Sequence, residues 1–163
     1  MKKRYNAKMS NYLEKNKFFE YMSNSNDEIY HELLEILNAG VTKIDECYLL
    51  TTMVKSLSYD IPSMDDHDTR TSFEFDANDV NIKYIKENKK WSKKSLLMQG
   101  FMYATKLAEI LEKMGHFNIV LMFQLLPVAC FVRFYYVRDD DSRIIPKDTD
   151  LNQYNNCLLV IET

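Results

Sequence analysis

The run VACFVRFYYV at residues 128–137 constrains the fold more than any other stretch of this sequence. One alternating set of positions, from Val128 to Tyr136, is entirely apolar, and only Arg133 interrupts the other set. Successive side chains of a strand point to opposite faces of the sheet. The pattern therefore predicts a central strand over 129–137 that is covered on both faces.

Neighbouring segments predict what surrounds this strand. Apolar runs predict two more strands at 118–124 and 157–162, and residues 125–127 (LLP) are suited to a hairpin connection. An apolar stripe predicts a helix over 92–114, which ends before Gly115 and packs on one face of the sheet. Between the last two strands, Asp148 is expected to cap a short turn that carries Leu151 and Tyr154.

The first third of the chain has helical patterns. Ser10 is a candidate cap for a first helix, and residues 25–28 (SNDE) have the form of a capping box that opens a second, which stops at Gly40. Thr42 is expected to cap a third helix with Asp45 in its first turn. After a polar loop, the alternation in TSFEFDA, residues 71–77, predicts a half-buried strand. The segment at 78–91 fits either a short strand or a helical turn.

These elements together predict an α+β fold, in which a helical N-terminal half precedes a long helix packed on a mainly antiparallel sheet. A chain of 163 residues with 46% hydrophobic residues is long enough to bury a core as one domain. We expect a single domain over 1–163, with a helical part at about 10–58 and a sheet-containing part at about 69–163. The basic N-terminus has no apolar run behind it, which indicates a cytoplasmic protein without a signal peptide.

Charge is distributed unevenly, although the formal net charge is only −3. Residues 27–79 carry thirteen acidic and three basic side chains, whereas residues 80–94 carry six basic and one acidic. A block of acidic side chains attracts a basic partner and speeds the encounter with it. The charge pattern therefore carries information about partners more than about the fold.

Two acidic clusters need a choice between chemistry and solvation. The motif DDHD at 65–68 offers oxygen and nitrogen atoms for a metal, but adjacent residues of an extended chain point in different directions, so a solvated acidic loop is the preferred interpretation. The motif RDDDSR at 138–143 offers paired carboxylates at a solvated strand exit. Neither motif has the spacing of a nucleophile and base or of a metal site. We expect a protein that is not an enzyme, with no catalytic residue, metal or cofactor.

The acidic side chains are instead predicted to face a basic protein partner, and the alternative is a set of solvated turns. The predicted partner-binding residues are Asp65, Asp66, Asp68, Glu74, Asp76, Asp139, Asp140 and Asp141.

The cysteines have a structural interpretation. The three cysteines lie in apolar surroundings and form no CxxC pair, so we expect buried free thiols.

The run KYIKENKKWSKK at 83–94 could meet phosphate, with Tyr84 and Trp91 to stack on bases, or could be the solvated start of the long helix. We expect no direct binding of nucleic acid, and no apolar stretch is long enough for a membrane span.

The second half of the chain resembles the immunity proteins of bacterial contact-dependent growth inhibition and related polymorphic toxin systems. The resemblance covers somewhat under half the chain. It rests on the order of the helix SLLMQGFMYATKLAEIL, the strands FNIVLMFQ and CFVRFYYVRDDD, and the closing segment DLNQYNNCLLVIE, with Leu151 and Tyr154 before a terminal strand. It implies a cytosolic protein that binds and neutralises the toxin domain of its own system, which in such systems is often a basic nuclease. A small regulatory or phage-encoded adaptor is the alternative.

Overall fold

The structure is a computed structural model, and it describes residues 1–54, 67–84, 91–138, 144–146 and 148–163. The described strands and helices form an α+β fold, which confirms the predicted fold class. The strands are β1 (Lys2–Tyr5), β2 (Val41–Ile44), β3 (Cys47–Leu50), β4 (Val80–Asn81), β5 (Phe117–Leu125), β6 (Val128–Tyr136) and β7 (Cys157–Glu162). The helices are α1 (Ala7–Lys15), α2 (Phe18–Asn24), α3 (His31–Ala39), α4 (Thr51–Val54), α5 (His67–Ala77) and α6 (Lys93–Leu111).

The main sheet has the strand order β1-β7-β5-β6-β4, and its neighbouring strands are antiparallel. β5 and β6 pair along their whole length, from Phe117 opposite Tyr136 to Leu125 opposite Val128. β4 adds two residues to the other side of β6. The predicted central strand is therefore an inner strand, and the strand bounds agree with the predicted ones within one residue.

Both faces of this sheet are covered, as the alternation of 128–137 predicts. Cys130, Val132 and Phe134 of β6 point into the main core with α6. Tyr135 points to the opposite face, where Ile145 packs on it in a second, smaller core. Strand β6 has apolar residues in both alternating sets because one set packs in the main core and the other set faces the smaller core.

α6 packs on the sheet so closely that one position has room only for glycine. The helix begins at the predicted cap, Ser92, and ends at Leu111, so residues 112–114 form a turn before Gly115 rather than a last helical turn. A Cβ atom at Gly100 would overlap the Sγ atom of Cys130 and lie 3.3 Å from Leu121. This glycine sets the distance between helix and sheet.

The N-terminal segment differs from its prediction, because its first residues form a strand. β1 lies at the edge of the main sheet and pairs with β7. Asn6 rather than Ser10 caps α1, and its side chain accepts a hydrogen bond from the N–H group of Met9 at 2.9 Å. The helix predicted from residue 25 begins only at His31, although it ends at Gly40 as predicted.

The segment with Thr42, predicted to be a helix, is the hairpin β2–β3. Asp45 and Glu46 form its turn with φ values of 46° and 65°. Two residues in the left-handed region match the twist of a two-residue hairpin turn. Acidic residues in this segment were interpreted as the first turn of a helix, although aspartate also tolerates this conformation. The strands β2 and β3 thus lie within the part predicted to be helical.

The predicted strand at 71–77 is wrong, because these residues belong to helix α5. The residues that α5 buries are polar: Thr71, Glu74 and Asn78 at its end are 0% exposed. They lie three to four residues apart, which places them on one helical face. Apolar periodicity could not reveal this helix because its buried face carries hydrogen-bonding groups.

Two ambiguous connections are resolved by the structure. Residues 80–84 combine both alternatives, with strand β4 followed by a 3-10 turn at Ile82–Tyr84. A second 3-10 turn, Leu151–Gln153, precedes β7 as predicted, but Asp150 rather than Asp148 caps it. Among the described residues, no helix combines the length and the apolar character needed to cross a membrane.

The close contact of Gly100 gives a test of the packing of α6. We expect Gly100→Ala to lower the free energy of unfolding by about 1–3 kcal/mol, since Cys130 must shift to admit the methyl group. The better helix propensity of alanine offsets part of this loss. Urea denaturation measures the change, and Lys106→Ala on the exposed face is the control. A G100A variant at least as stable as the parent chain would contradict the packing.

Candidate functional site

A buried ion pair lies where β6 leaves the sheet. The Arg138 guanidinium donates to Oε1 of Glu74 at 2.7 Å and to its Oε2 at 3.2 Å. The side chains of Arg138 and Glu74 are only 7% and 0% exposed. Such a two-bond geometry is the strongest that an arginine and a carboxylate can form. We call this pair and the groups bonded to it the Arg138 junction.

The Arg138 junction joins three segments that are distant in sequence. Arg138 donates to the carbonyl oxygen of Glu46 at 2.8 Å and to the hydroxyl of Thr71 at 3.0 Å. Glu74 in turn accepts hydrogen bonds from the backbone N–H groups of Tyr48 and Tyr136, both at 2.8 Å. The β2–β3 hairpin, α5 and the end of β6 are thereby fixed to one another.

The surroundings of Glu74 act on its pKa in opposite directions. Burial raises the pKa of the Glu74 carboxyl above its ordinary value, while the Arg138 guanidinium and the two backbone N–H groups lower it. Each of these donors favours the charged form. Because both oxygens of Glu74 are occupied by these donors, the carboxylate is a structural anchor and does not point to solvent.

Exposed acidic side chains belong to the same segments. Asp45 and Glu46 are exposed at the hairpin turn that Arg138 holds. The Glu46 carboxylate also pairs with Lys43 at 2.7 Å, a hydrogen bond that lowers the pKa of Glu46. On α5, the side chain of Asp76 is 78% exposed and lies 3.4 Å from Arg133. The Arg138 junction thus has carboxylates on the outer side of both the hairpin and α5.

The predicted partner-binding residues have different positions in the structure. Asp76 is exposed as predicted, and Asp68 lies in the first turn of α5, three residues before Thr71. Glu74 must be removed from the predicted surface, because it is fully buried against Arg138. The other five predicted residues lie outside the described ones: Asp65, Asp66, Asp139, Asp140 and Asp141.

The motif DDHD, which is predicted to be a solvated acidic loop, has a helical second half. His67 and Asp68 are the first residues of α5. Within the described ranges, no three His, Cys, Asp or Glu side chains are grouped as metal ligands. The described geometry at α5 is that of a helix with one face turned to the junction.

The three cysteines are buried free thiols, as predicted. Burial raises the pKa of Cys47 to about 11, and it also raises the pKa values of Cys130 and Cys157. A thiol with a raised pKa holds its proton at neutral pH and packs as a small apolar group.

Sequence reasoning missed Arg138 and the hairpin turn as parts of this site. The sequence indicates only that Arg138 is one of two arginines that flank three aspartates at a solvated strand exit. One signal was available: Arg138 directly follows a strand with two apolar faces, and an arginine that is buried beside such a strand needs a partner. The hairpin turn gave no such signal, because its residues are polar on either interpretation.

Comparison with known proteins identifies a family for this chain. A family model described as "Uncharacterized protein PM0498 family" matches residues 4–163. No curated protein matches. No solved structure matches either.

Removing one partner of the ion pair tests the Arg138 junction. We expect Glu74→Gln and Arg138→Met each to lower the free energy of unfolding by about 3–5 kcal/mol, since each leaves a buried group without its partner. The double variant should lose less than the sum of the two, because the residues interact directly. Chemical denaturation of the four proteins gives the coupling energy.

The control for this cycle is Asp76→Asn, which removes an exposed carboxylate from the same helix. Its effect should stay within about 0.5 kcal/mol. If E74Q were as mild as D76N, Glu74 would not anchor the hairpin and α5.

Proposed function

We propose that this chain, which belongs to the Uncharacterized protein PM0498 family, binds a basic protein domain through the acidic segments gathered at the Arg138 junction. One observation carries the proposal: a single buried arginine contacts the hairpin turn with Asp45 and Glu46, and also contacts α5. Asp139 follows that arginine directly in the sequence. The described acidic residues Asp45, Glu46 and Asp76 therefore belong to segments that meet at one place in the fold.

A fixed framework favours recognition by electrostatic attraction. Charged groups on rigid elements lose little entropy when a partner binds, and their mutual repulsion in the free protein is relieved by a cationic surface. Such attraction raises the association rate and makes it depend on salt. A rigid junction with acidic segments around it suits this role better than a flexible acidic tail would.

The partner that we propose is the toxin domain of a contact-dependent growth inhibition system, and the chain is its immunity protein in the cytoplasm. This step rests on the resemblance of the helix, strands and closing turn of the second half. A nuclease toxin must bind phosphate and carries basic residues for that purpose. An acidic inhibitor complements such a surface, neutralises the toxin by contact and needs no catalytic group of its own.

Growth protection tests this function. The probe is the toxin domain encoded beside the gene of this chain, expressed in cells with and without the chain. We expect cells to survive only when the chain is present, and the two purified proteins to form a stable complex. A toxin that stays lethal in the presence of the folded chain, or a neighbouring gene that encodes no toxin, contradicts the immunity role.

The role of acidic steering is tested by replacing Asp139, Asp140 and Asp141, which follow Arg138 in the sequence, with asparagine. We expect the association rate with the toxin domain at low salt to fall about tenfold, because steering by the acidic segment is lost. The salt dependence of the rate should flatten, and the melting temperature should change little. Stopped-flow mixing over a range of salt concentrations measures both quantities.

A matched control separates a local surface from net charge. The triple variant Asp27→Asn, Glu32→Gln, Glu35→Gln removes three charges in and before α3, outside the three segments that the Arg138 junction joins. Its association rate should stay close to that of the parent chain. Equal slowing by both triple variants would show that overall charge, and not this surface, guides the partner.

A further inference from the structure

A cleft with a basic lining lies on the side of the molecule formed by α1, the start of α6 and the turn between β5 and β6. Its volume is about 840 Å³, and a smaller cleft of about 490 Å³ adjoins it and shares Lys15, Asn16, Tyr21 and Lys94. Sites for small ligands have volumes in this range. We call the larger one the lysine cleft.

Four lysines line the lysine cleft: Lys8 and Lys15 of α1, and Lys93 and Lys94 of α6. No aspartate or glutamate occurs among its described lining residues. The ammonium group of Lys8 donates to the carbonyl oxygen of Asn155 at 3.0 Å, and that of Lys94 lies 5.6 Å from the ring centre of Tyr21. Neither contact neutralises the lysine charge, so the described lining of the cleft carries four positive side-chain charges and no negative one.

The start of α6 adds to this potential. Ser92 caps the helix by accepting from the N–H group of Ser95 at 3.0 Å, and the next two residues are Lys93 and Lys94. A helix of 19 residues carries partial positive charge at its N-terminus, where acidic residues stabilise it. Here the first turn has none. Lysines at these positions are repelled by the positive end of the helix dipole, which lowers the stability of the helix. The same lysines and the helix N-terminus attract an anion.

The floor of the lysine cleft is apolar and aromatic. Tyr12 meets Phe123 edge to face with ring centres 5.2 Å apart, and Leu125 and Cys157 extend this surface. Burial raises the pKa of Tyr12, so its hydroxyl stays protonated. An inorganic anion would use the lysines but not this floor. A planar apolar ring beside an anionic group uses both.

We propose that the lysine cleft binds a nucleoside phosphate. Its phosphates lie between the lysines of α1 and the N-terminus of α6, and its base packs on Tyr12 and Leu125. The side-chain amides of Asn11 and Asn156 line the same cleft and offer donors and acceptors to the base edge. The acidic segments of the Arg138 junction take no part, so this inference stands or fails separately from the proposed function.

Calorimetric titration of the whole chain tests this site, with ATP, inorganic phosphate and adenosine as probes and no divalent metal present. We expect ATP to bind at least tenfold more tightly than either inorganic phosphate or adenosine, because only ATP engages both the lysines and the aromatic floor. The double variant Lys15→Gln, Lys94→Gln should weaken ATP at least tenfold. Tyr12→Leu should weaken ATP more than it weakens phosphate.

The control Lys106→Gln, Lys113→Gln removes two exposed charges from the far part of α6 and the turn after it, and it should leave ATP binding unchanged. Circular dichroism of each variant checks that it is folded. Absence of ATP binding, equal loss in the control, or equal affinity for ATP and phosphate overturns the proposal. A 20-nucleotide single-stranded DNA is the last probe. If it binds much more tightly than ATP and displaces it, the ligand is nucleic acid and the proposal of a free nucleoside phosphate is overturned.

Discussion

The ion pair between Glu74 and Arg138 is the interaction that joins the β2–β3 hairpin and α5 to the end of β6. The fully buried residues at α5 are polar, and its Phe75 is only partly buried against the second core, so hydrophobic burial alone cannot hold this helix in place. Asn78 complements the pair by accepting from the N–H group of Leu50 and donating to the carbonyl of Tyr48. Removing both charges from water is costly, and the bidentate geometry with its backbone donors offsets that cost. The hairpin, α5 and β6 therefore keep one relative position.

The parts of the fold that follow from apolar periodicity could be predicted from the sequence, and those that follow from polar contacts could not. The strands β5, β6 and β7 and helix α6 bury apolar side chains at regular spacing, which the sequence displays directly. α5 buries Thr71 and Glu74 instead, and the alternation of its phenylalanines with acidic residues imitates a half-buried strand. The turn of the hairpin β2–β3 consists of acidic residues rather than glycine. The basic segment β1 forms a strand because it pairs with β7 at the edge of the sheet.

The candidate sites were predictable to the same limited extent. Sequence shows where acidic residues are frequent, but it does not distinguish Glu74 from Asp76, because the difference depends on Arg138, which is 64 residues away from Glu74. The lysine cleft shows the same dependence on distant residues. Its two pairs of lysines lie more than seventy positions apart along the chain and line one cleft only after folding. The described residues thus group exposed carboxylates at the Arg138 junction and lysines at the lysine cleft, although the net charge is small.

The pairing of β1 with β7 has a consequence for the order of events on the ribosome. Lys2 lies opposite Glu162, and β7 separates β1 from β5, so β1 has no sheet to join until the final strand has been made. Contacts between such distant residues form late in folding. Until β7 is made, the backbone groups of β1 lack their partner strand and can pair incorrectly with other chains. Its positive charges, Lys2, Lys3 and Arg4, discourage such pairing by mutual repulsion during that interval.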